Sequence, residues 1–226
     1  FDASSGVNRD WLDRFMDSAG FVSEEQVQQM WGKILAKEFE TPGSTPHNMV
    51  RILSEITSKH AEAFQKICSM KRLSVFTDGN GNVETFQRGV VVPYKGNEAE
   101  FRTLGLSFDL LNELETLGLI KFDSVGGFVI LNAPEKGVIT YIDGLTQEVE
   151  SHNKDKLPMG NVMLTEAGEC LCRIIQPVPI PNYISLEKKY MISNGVVFRK
   201  VSGYIIIDDG KGGLSLHKTP EITAEQ

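Results

Sequence analysis

Residues 105–131, GLSFDLLNELETLGLIKFDSVGGFVIL, decide how the chain is read. Leu110, Leu111, Leu114 and Leu117 recur at helical spacing, with Ser107 where an N-cap belongs and Gly118 where a left-handed stop belongs. Ile120–Phe122 and Phe128–Leu131 then form two short apolar runs across Ser124-Val125-Gly126-Gly127, which predicts a hairpin. A helix feeding a two-stranded ribbon is the element order of a winged helix. The stretch therefore predicts a winged-helix-like α+β domain.

Outward from this stretch the signals remain mixed. Residues 73–76 and 83–86 flank Asp78-Gly79-Asn80-Gly81, whose glycines accept positive φ, so a hairpin is expected, with another short strand at 89–93. On the other side, residues 138–142 read as a strand and 150–160 as a polar loop. Val162–Leu164 reads as a strand ending at Thr165, the cap of a helix that carries Ala167, Leu171, Ile174 and Ile175. Pro177, Pro179 and Pro181 force an extended strap. Beyond it, 184–192 is expected to be helical and 196–201, 204–207 and 214–217 to be strands.

Residues 8–70 have a helical period only. Four stripes stand out: Trp11, Leu12, Phe15 and Met16; Val27, Met30, Trp31, Ile34 and Leu35; Met49, Ile52, Leu53 and Ile56; Ala61, Phe64, Ile67 and Cys68. Ser23 with Gln26 predicts a capping box, Thr41-Pro42-Gly43 a break, Thr45-Pro46 the restart, and Thr57 or Ser58 the last cap. Helices this short must pack on one another. The expected fold is thus α+β: a helical bundle over 1–70, a winged-helix-like domain over 71–176, and a proline strap with a small C-terminal α+β segment over 177–226.

The stretch VSEEQVQQMWGKILAKEFETPGSTPHNMVRILSEITSKHAEAFQKICSM, residues 22–70, resembles a bacterial family of uncharacterised proteins known as a domain of unknown function. The likeness rests on Trp31, Ile34, Leu35 and Ala36, on the Pro42-Gly43-Ser44 break, and on the Phe64 to Cys68 helix. Val162-Met163-Leu164-Thr165-Glu166-Ala167-Gly168 is similar to the strand-to-helix ending of many winged-helix domains. The resemblance covers about two thirds of the chain and implies a fold without an activity. Relatives of the Trp-containing motif, as far as likeness goes, include phage-exclusion proteins.

Composition narrows the function. With 226 residues, 41% hydrophobic and 23% charged, the chain is a globular protein, not a disordered or fibrous one. Its 23 Lys and Arg against 30 Asp and Glu give a net charge of -7, which disfavours nucleic acid as a partner of the whole molecule. Three cysteines, Cys68, Cys170 and Cys172, suit a reducing compartment, so a cytoplasmic location is expected. No run approaches the ~18 apolar residues of a spanning helix, and membrane insertion is not expected. The opening residue, Phe1, suggests a segment of a longer protein.

The sites that chemistry would need lack parts. Asp78, Asn80 and Asn82 alternate like calcium-loop ligands, but Val83 stands where glycine is required and Gly89 where the bidentate glutamate belongs. Cys170 and Cys172 point to opposite helix faces and cannot grip one ion. His47, His60, His152 and His217 have no ligand spacing. Gly210-Lys211-Gly212-Gly213 lacks the Ser or Thr and the helix of a phosphate loop, and Ser107 lacks the second glycine of a nucleophile elbow. No catalytic, cofactor or metal residue is therefore assigned. The predicted reading helix carries Asp109, Glu113 and Glu115 and no Lys or Arg, which opposes phosphate contact.

The expected function is a non-enzymatic protein-interaction or scaffold module. One alternative is a nucleic-acid-binding regulator linked to phage defence, contacting nucleic acid through Lys188, Lys189, Arg199 and Lys200, or through Lys71, Arg72, Arg88 and Lys95. The other is an enzyme whose site is assembled from residues far apart in sequence.

Overall fold

The computed structural model describes residues 6–77, 83–131, 134–142, 144–152, 156–201, 204–208 and 214–218, with side chains through Arg199 apart from residues 85–88. The described chain is mixed α+β. Its helices are α1 (Arg9–Ala19), α2 (Glu25–Glu40), α3 (Met49–Glu55), α4 (Ser58–Ser69), α5 (Glu98–Thr103), α6 (Phe108–Leu117), α7 (Glu166–Ile174) and α8 (Tyr183–Ser193). Its first six strands are β1 (Lys71–Thr77), β2 (Val83–Val90), β3 (Ile120–Phe122), β4 (Phe128–Leu131), β5 (Lys136–Tyr141) and β6 (Thr146–Ser151). The remaining five are β7 (Lys156–Gly160), β8 (Val162–Leu164), β9 (Val196–Val201), β10 (Tyr204–Asp208) and β11 (Leu214–Lys218).

Two compact units share the chain. The first comprises Phe1–Ser69, Tyr94–Gly126 and Asn161–Pro179, and the second Met70–Pro93, Gly127–Gly160 and Ile180–Gln226.

The first unit is built on helix faces. Trp11 stacks on Phe15 at 4.9 Å, and Phe15 meets the Trp31 ring edge-on at 4.5 Å. Trp31 donates its indole N–H to the Leu53 carbonyl at 3.2 Å, so α2 is fastened to α3 by the polar tip of a core residue. Ile34, Ile52, Phe64, Ile67, Leu111 and Leu114 are fully buried in the same unit. Ser107 caps α6 by accepting from the Leu110 N–H, and Gly118 ends it at φ 88, where a side chain would be strained.

Two starts differ from expectation. No Ser23–Gln26 box forms: Glu24 precedes α2 with its carboxylate turned to the start of α4, and Gln28 reaches back to the Val22 carbonyl at 2.7 Å. The third helix begins at Met49, after a turn in which the Met49 N–H donates to the Pro46 carbonyl, so Thr45 does not cap it.

The ribbon also differs. β3 pairs with β8, Ile120 opposite Leu164, and β4 pairs with β7, so the predicted β3–β4 hairpin is absent from the described pairings. The local reason is at Thr165. It caps α7 by accepting from the Gly168 N–H, and its hydroxyl also lies 2.6 Å from the Gly118 carbonyl and 3.1 Å from that of Leu119. Its backbone N–H donates to Leu119, which lays β8 beside β3. Asp123 then ends β3 by accepting from the Val125 and Gly126 N–H groups. At Gly168 a Cβ would fall 2.0 Å from the Leu119 oxygen, so only glycine allows α7 this approach.

In the second unit, β2-β1-β5-β6-β9 form one antiparallel sheet in that order, joined by the pairs β4–β7 and β10–β11. The β1–β2 hairpin is present with Val75 opposite Phe86, and its connection, residues 78–82, lies outside the described residues. The expected polar loop over 150–160 contains the end of β6 and all of β7, whose Leu157, Pro158 and Met159 are buried. The Tyr183 hydroxyl on α8 lies 3.0 Å from the Met70 carbonyl and 2.9 Å from that of Val91, the two ends of the hairpin. Burial holds its pKa well above the usual phenol value.

Candidate functional site

Four arrangements in the described residues bring polar chemistry together. The first is a notch of about 380 Å³ in the first unit, where the turn after α1 meets the end of α3. Val22, Val27, Leu53 and Ile56 supply its apolar wall, Asp17 and Glu24 its acidic rim. Phe21 stands beside it 90% exposed. Glu24 is fixed there because it accepts the Ser58 N–H at 2.8 Å and the Ser58 hydroxyl, bonds that hold its pKa below the ordinary carboxylate value.

The second is a pocket of about 600 Å³ between α1, the 41–47 loop and the first residue of α7. Glu38 organises its wall. Although charged, it is 4% exposed, and its two oxygens accept from the Gly43 N–H at 2.5 Å and the Thr45 N–H at 3.0 Å. That carboxylate does for the loop what a bound anion does for a nest of amides. Two further wall residues are buried without a hydrogen-bond partner for their side chains: Trp11, 5% exposed, at Nε1, and Thr45, 7% exposed, at Oγ1. Each such group forfeits about 1–3 kcal/mol of hydration. Arg14, His47 and Glu166 are exposed around the pocket.

The third lies inside the second unit. Arg72 on β1 is 2% exposed and Glu187 on α8 is 0% exposed, and they form an ion pair. Arg72 also reaches the Met159 sulfur at 3.9 Å. Its Nε and the Glu187 Oε2 have no partner. Arg72 is therefore not a surface group available to nucleic acid.

The fourth is Thr57, His60 and Glu113. The Thr57 hydroxyl lies 3.1 Å from His60 Nδ1, and His60 Nε2 lies 2.9 Å from Glu113. It has the order of a nucleophile, base and orienting acid. Yet Nδ1 also accepts the Thr57 backbone N–H at 3.2 Å, and the Thr57 hydroxyl accepts the His60 N–H at 3.4 Å. The lone pair a base would use is occupied, and the group acts as a cap for α4. His60 holds the Glu113 pKa below its usual value.

Of the basic residues selected from the sequence, Lys188 sits over the Phe198 ring at 5.6 Å, Lys189 is exposed on α8, and Arg199 pairs with Glu150 at 2.5 Å. Lys200 is on β9, its side chain outside the described residues, as is that of Arg88. Lys95 donates to the Val125 carbonyl at 2.6 Å. Asp78, Asn80, Asn82 and Lys211 lie outside the described residues. Cys68, Cys170 and Cys172 are buried, and burial raises the Cys170 pKa. Among the described residues no His, Cys, Asp and Glu cluster could hold a metal ion, and no helix is long and apolar enough to cross a membrane.

The residues that sequence reasoning passed over were Phe21, Glu38 and Glu187. The last two carried a signal. Glu38 continues the Val27, Trp31, Ile34 stripe at i+4, and Glu187 lies midway between the buried Tyr183 and Met191 on one face of α8.

A family model described as Protein of unknown function (DUF2806) matches residues 2–187. The chain belongs to that family. No curated protein and no solved structure matches it. The DUF2806 match takes in the notch, the pocket and both members of the buried ion pair, and it ends before Lys188, Lys189, Arg199 and Lys200.

Proposed function

We propose that this chain is a non-enzymatic protein-interaction module of the cytoplasm, whose acidic first unit docks a basic amphipathic segment of a protein partner in the notch beside Phe21. The observation that carries the reading is Phe21 itself, 90% exposed at the edge of an apolar wall. Leaving a phenylalanine in water forgoes roughly 1.5–3 kcal/mol of burial free energy that a partner would recover. Charge supports the choice of occupant. Of the chain's 23 basic and 30 acidic residues, the first unit carries 11 and 18, and the second 12 and 12. The whole net charge of -7 therefore belongs to the unit with the notch, whose rim is Asp17 and Glu24.

The order α5, α6, β3, β8, α7 supports a winged-helix-like reading of this unit, with the ribbon closed by a distant strand. The four N-terminal helices support the bundle. A non-enzymatic role is supported by how the polar groups are used: Glu38 by loop amides, Arg72 by Glu187, His60 by the cap. A synthetic Leu/Lys helix with leucines at i, i+3, i+4 and i+7 is the probe, read by fluorescence anisotropy against the whole chain. It should bind, a Leu/Glu helix of the same pattern should not, and Phe21→Asp should abolish binding. Equal binding of both helices, or no effect of Phe21→Asp, overturns the reading.

The second unit favours the nucleic-acid alternative more than the first. It carries no net charge, and Lys136, His152 and Arg199 gather around Glu150, lowering its pKa, with the Arg199 hydrogen bond the main cause. A gel shift of duplex DNA that weakens with salt and disappears in Arg199→Ala/Lys200→Ala would support this second reading, and no shift at low salt would retire it.

A further inference from the structure

The notch beside Phe21 has a counterpart on the same chain. In α8, Tyr183, Glu187 and Met191 recur every four residues and are buried in the second unit. Ser185, Lys188, Lys189 and Ile192 follow the i, i+3, i+4, i+7 spacing and so share the opposite face of the helix. Ile192 is 59% exposed, and Lys189 is exposed beside it. Lys188 rests over the Phe198 ring at 5.6 Å, and neither lysine is in an ion pair among the described residues. A single exposed isoleucine is ordinary. What gives this one meaning is the match between its face and the notch.

The notch presents the inverse arrangement, an exposed phenyl ring and an apolar wall with two carboxylates on the rim. Asp17 makes no side-chain hydrogen bond among the described residues, and both bonds that Glu24 accepts go to Oε2, which leaves Oε1 unengaged. The unit around the notch carries the whole net charge of -7, so a basic surface is drawn to it. We propose that the partner of the notch is a second copy of this chain, which sets Ile192 of α8 against Phe21 and offers Lys188 and Lys189 to Asp17 and Glu24. The proposal rests on the docking reading of the notch and names its occupant. The two surfaces differ, so a single contact leaves one notch and one helix face to be satisfied, either reciprocally within the pair or by further copies. One helix face buries less than the roughly 1,200 Å² of a stable complex, so association is weak and falls with salt.

The test is sedimentation velocity of the whole chain from micromolar to millimolar concentration, at low and at high salt. Mass should rise with concentration to two copies or more, and fall back in high salt. Lys189→Glu/Ile192→Asp changes exposed positions, so it keeps the fold, which circular dichroism checks. It should remain monomeric, as should Phe21→Asp. Mixed together, each of these variants supplies the surface the other lacks, so they should form one-to-one pairs and nothing larger. A misfolded variant would not complement its partner, which separates a lost surface from a lost fold. Anisotropy of the Leu/Lys helix is the second readout, and Lys189→Glu/Ile192→Asp should bind that probe at least as well as the parent chain, because its notch is intact. Probe binding by a parent chain that stays monomeric throughout overturns self-association and leaves the docking reading standing, whereas no probe binding and no growth in mass removes both. Growth that neither variant alters, or mixed variants that stay monomeric, also overturns the proposal.

Discussion

The two units place their charges oppositely. The first carries the whole net negative charge and keeps it on the surface, apart from Glu38; its interior is a cluster of Trp11, Phe15, Trp31 and aliphatic side chains. The second has no net charge but encloses a complete ion pair, Arg72 with Glu187, between β1 and α8. Surface charge selects what approaches a protein, whereas enclosed charge constrains which packing is allowed. The acidic surface with the proposed docking notch thus belongs to the first unit, while in the second the enclosed pair ties α8 to β1.

The sharpest way to break the comparison is Glu187→Ala. It strands the Arg72 guanidinium in the interior and should destabilise the second unit by about 3–5 kcal/mol in urea unfolding. The paired change Arg72→Met with Glu187→Leu should restore most of that loss, because it removes both charges and keeps the volume; a double variant as unstable as the single one would mean that packing, not charge, is at fault.

Glu38→Ala comes next, with an expected loss of about 2–4 kcal/mol, since two charge-assisted bonds to loop amides vanish. Hydrogen exchange at the Gly43 and Thr45 amides should quicken in the same variant. Phe21→Asp should alter stability by less than about 0.5 kcal/mol while abolishing docking, as expected of an exposed side chain.

The smallest effect concerns acid. Glu113 has a folded pKa lowered first by its His60 hydrogen bond, so its contribution to stability is present above the unfolded carboxylate pKa and is lost as pH falls through the lower folded value. Glu113→Gln should flatten the dependence of stability on pH in that acidic window and leave neutral stability nearly unchanged. Loss of slope near neutrality instead would mean that the Glu113 carboxylate is not the group responsible.

Much of the helical half was legible because its signals are local. The helix-ending roles of Ser107 and Gly118 and the capping role of Thr165 each act within four residues, and the stripes of α1, α2 and α4 need only their own period. Met16 is the exception, 55% exposed at the edge of its stripe. The β1–β2 hairpin was legible for the same reason. What could not be read depends on distant partners. β3 is three residues long, too short for alternation to state its neighbour, and the partner that Thr165 brings to it lies more than 40 residues away. Arg72 and Glu187 lie on elements 115 residues apart, and each alone resembles a surface charge. The notch and pocket are walled by the 20–24 and 41–47 segments, which sequence reasoning treats as joints between helices.

The position of Tyr183 bears on where this protein can be cut. Its hydroxyl clasps the start of β1 to the residue after β2, and Glu187, one turn further on, neutralises the guanidinium beneath. A truncation at the proline strap would delete both at once, opening the hairpin at its base and leaving a bare cation in an apolar layer. One at residue 187, where family likeness stops, would retain both side chains on a helix shorn of its last six residues. A fragment meant for expression should therefore run at least through Ser193.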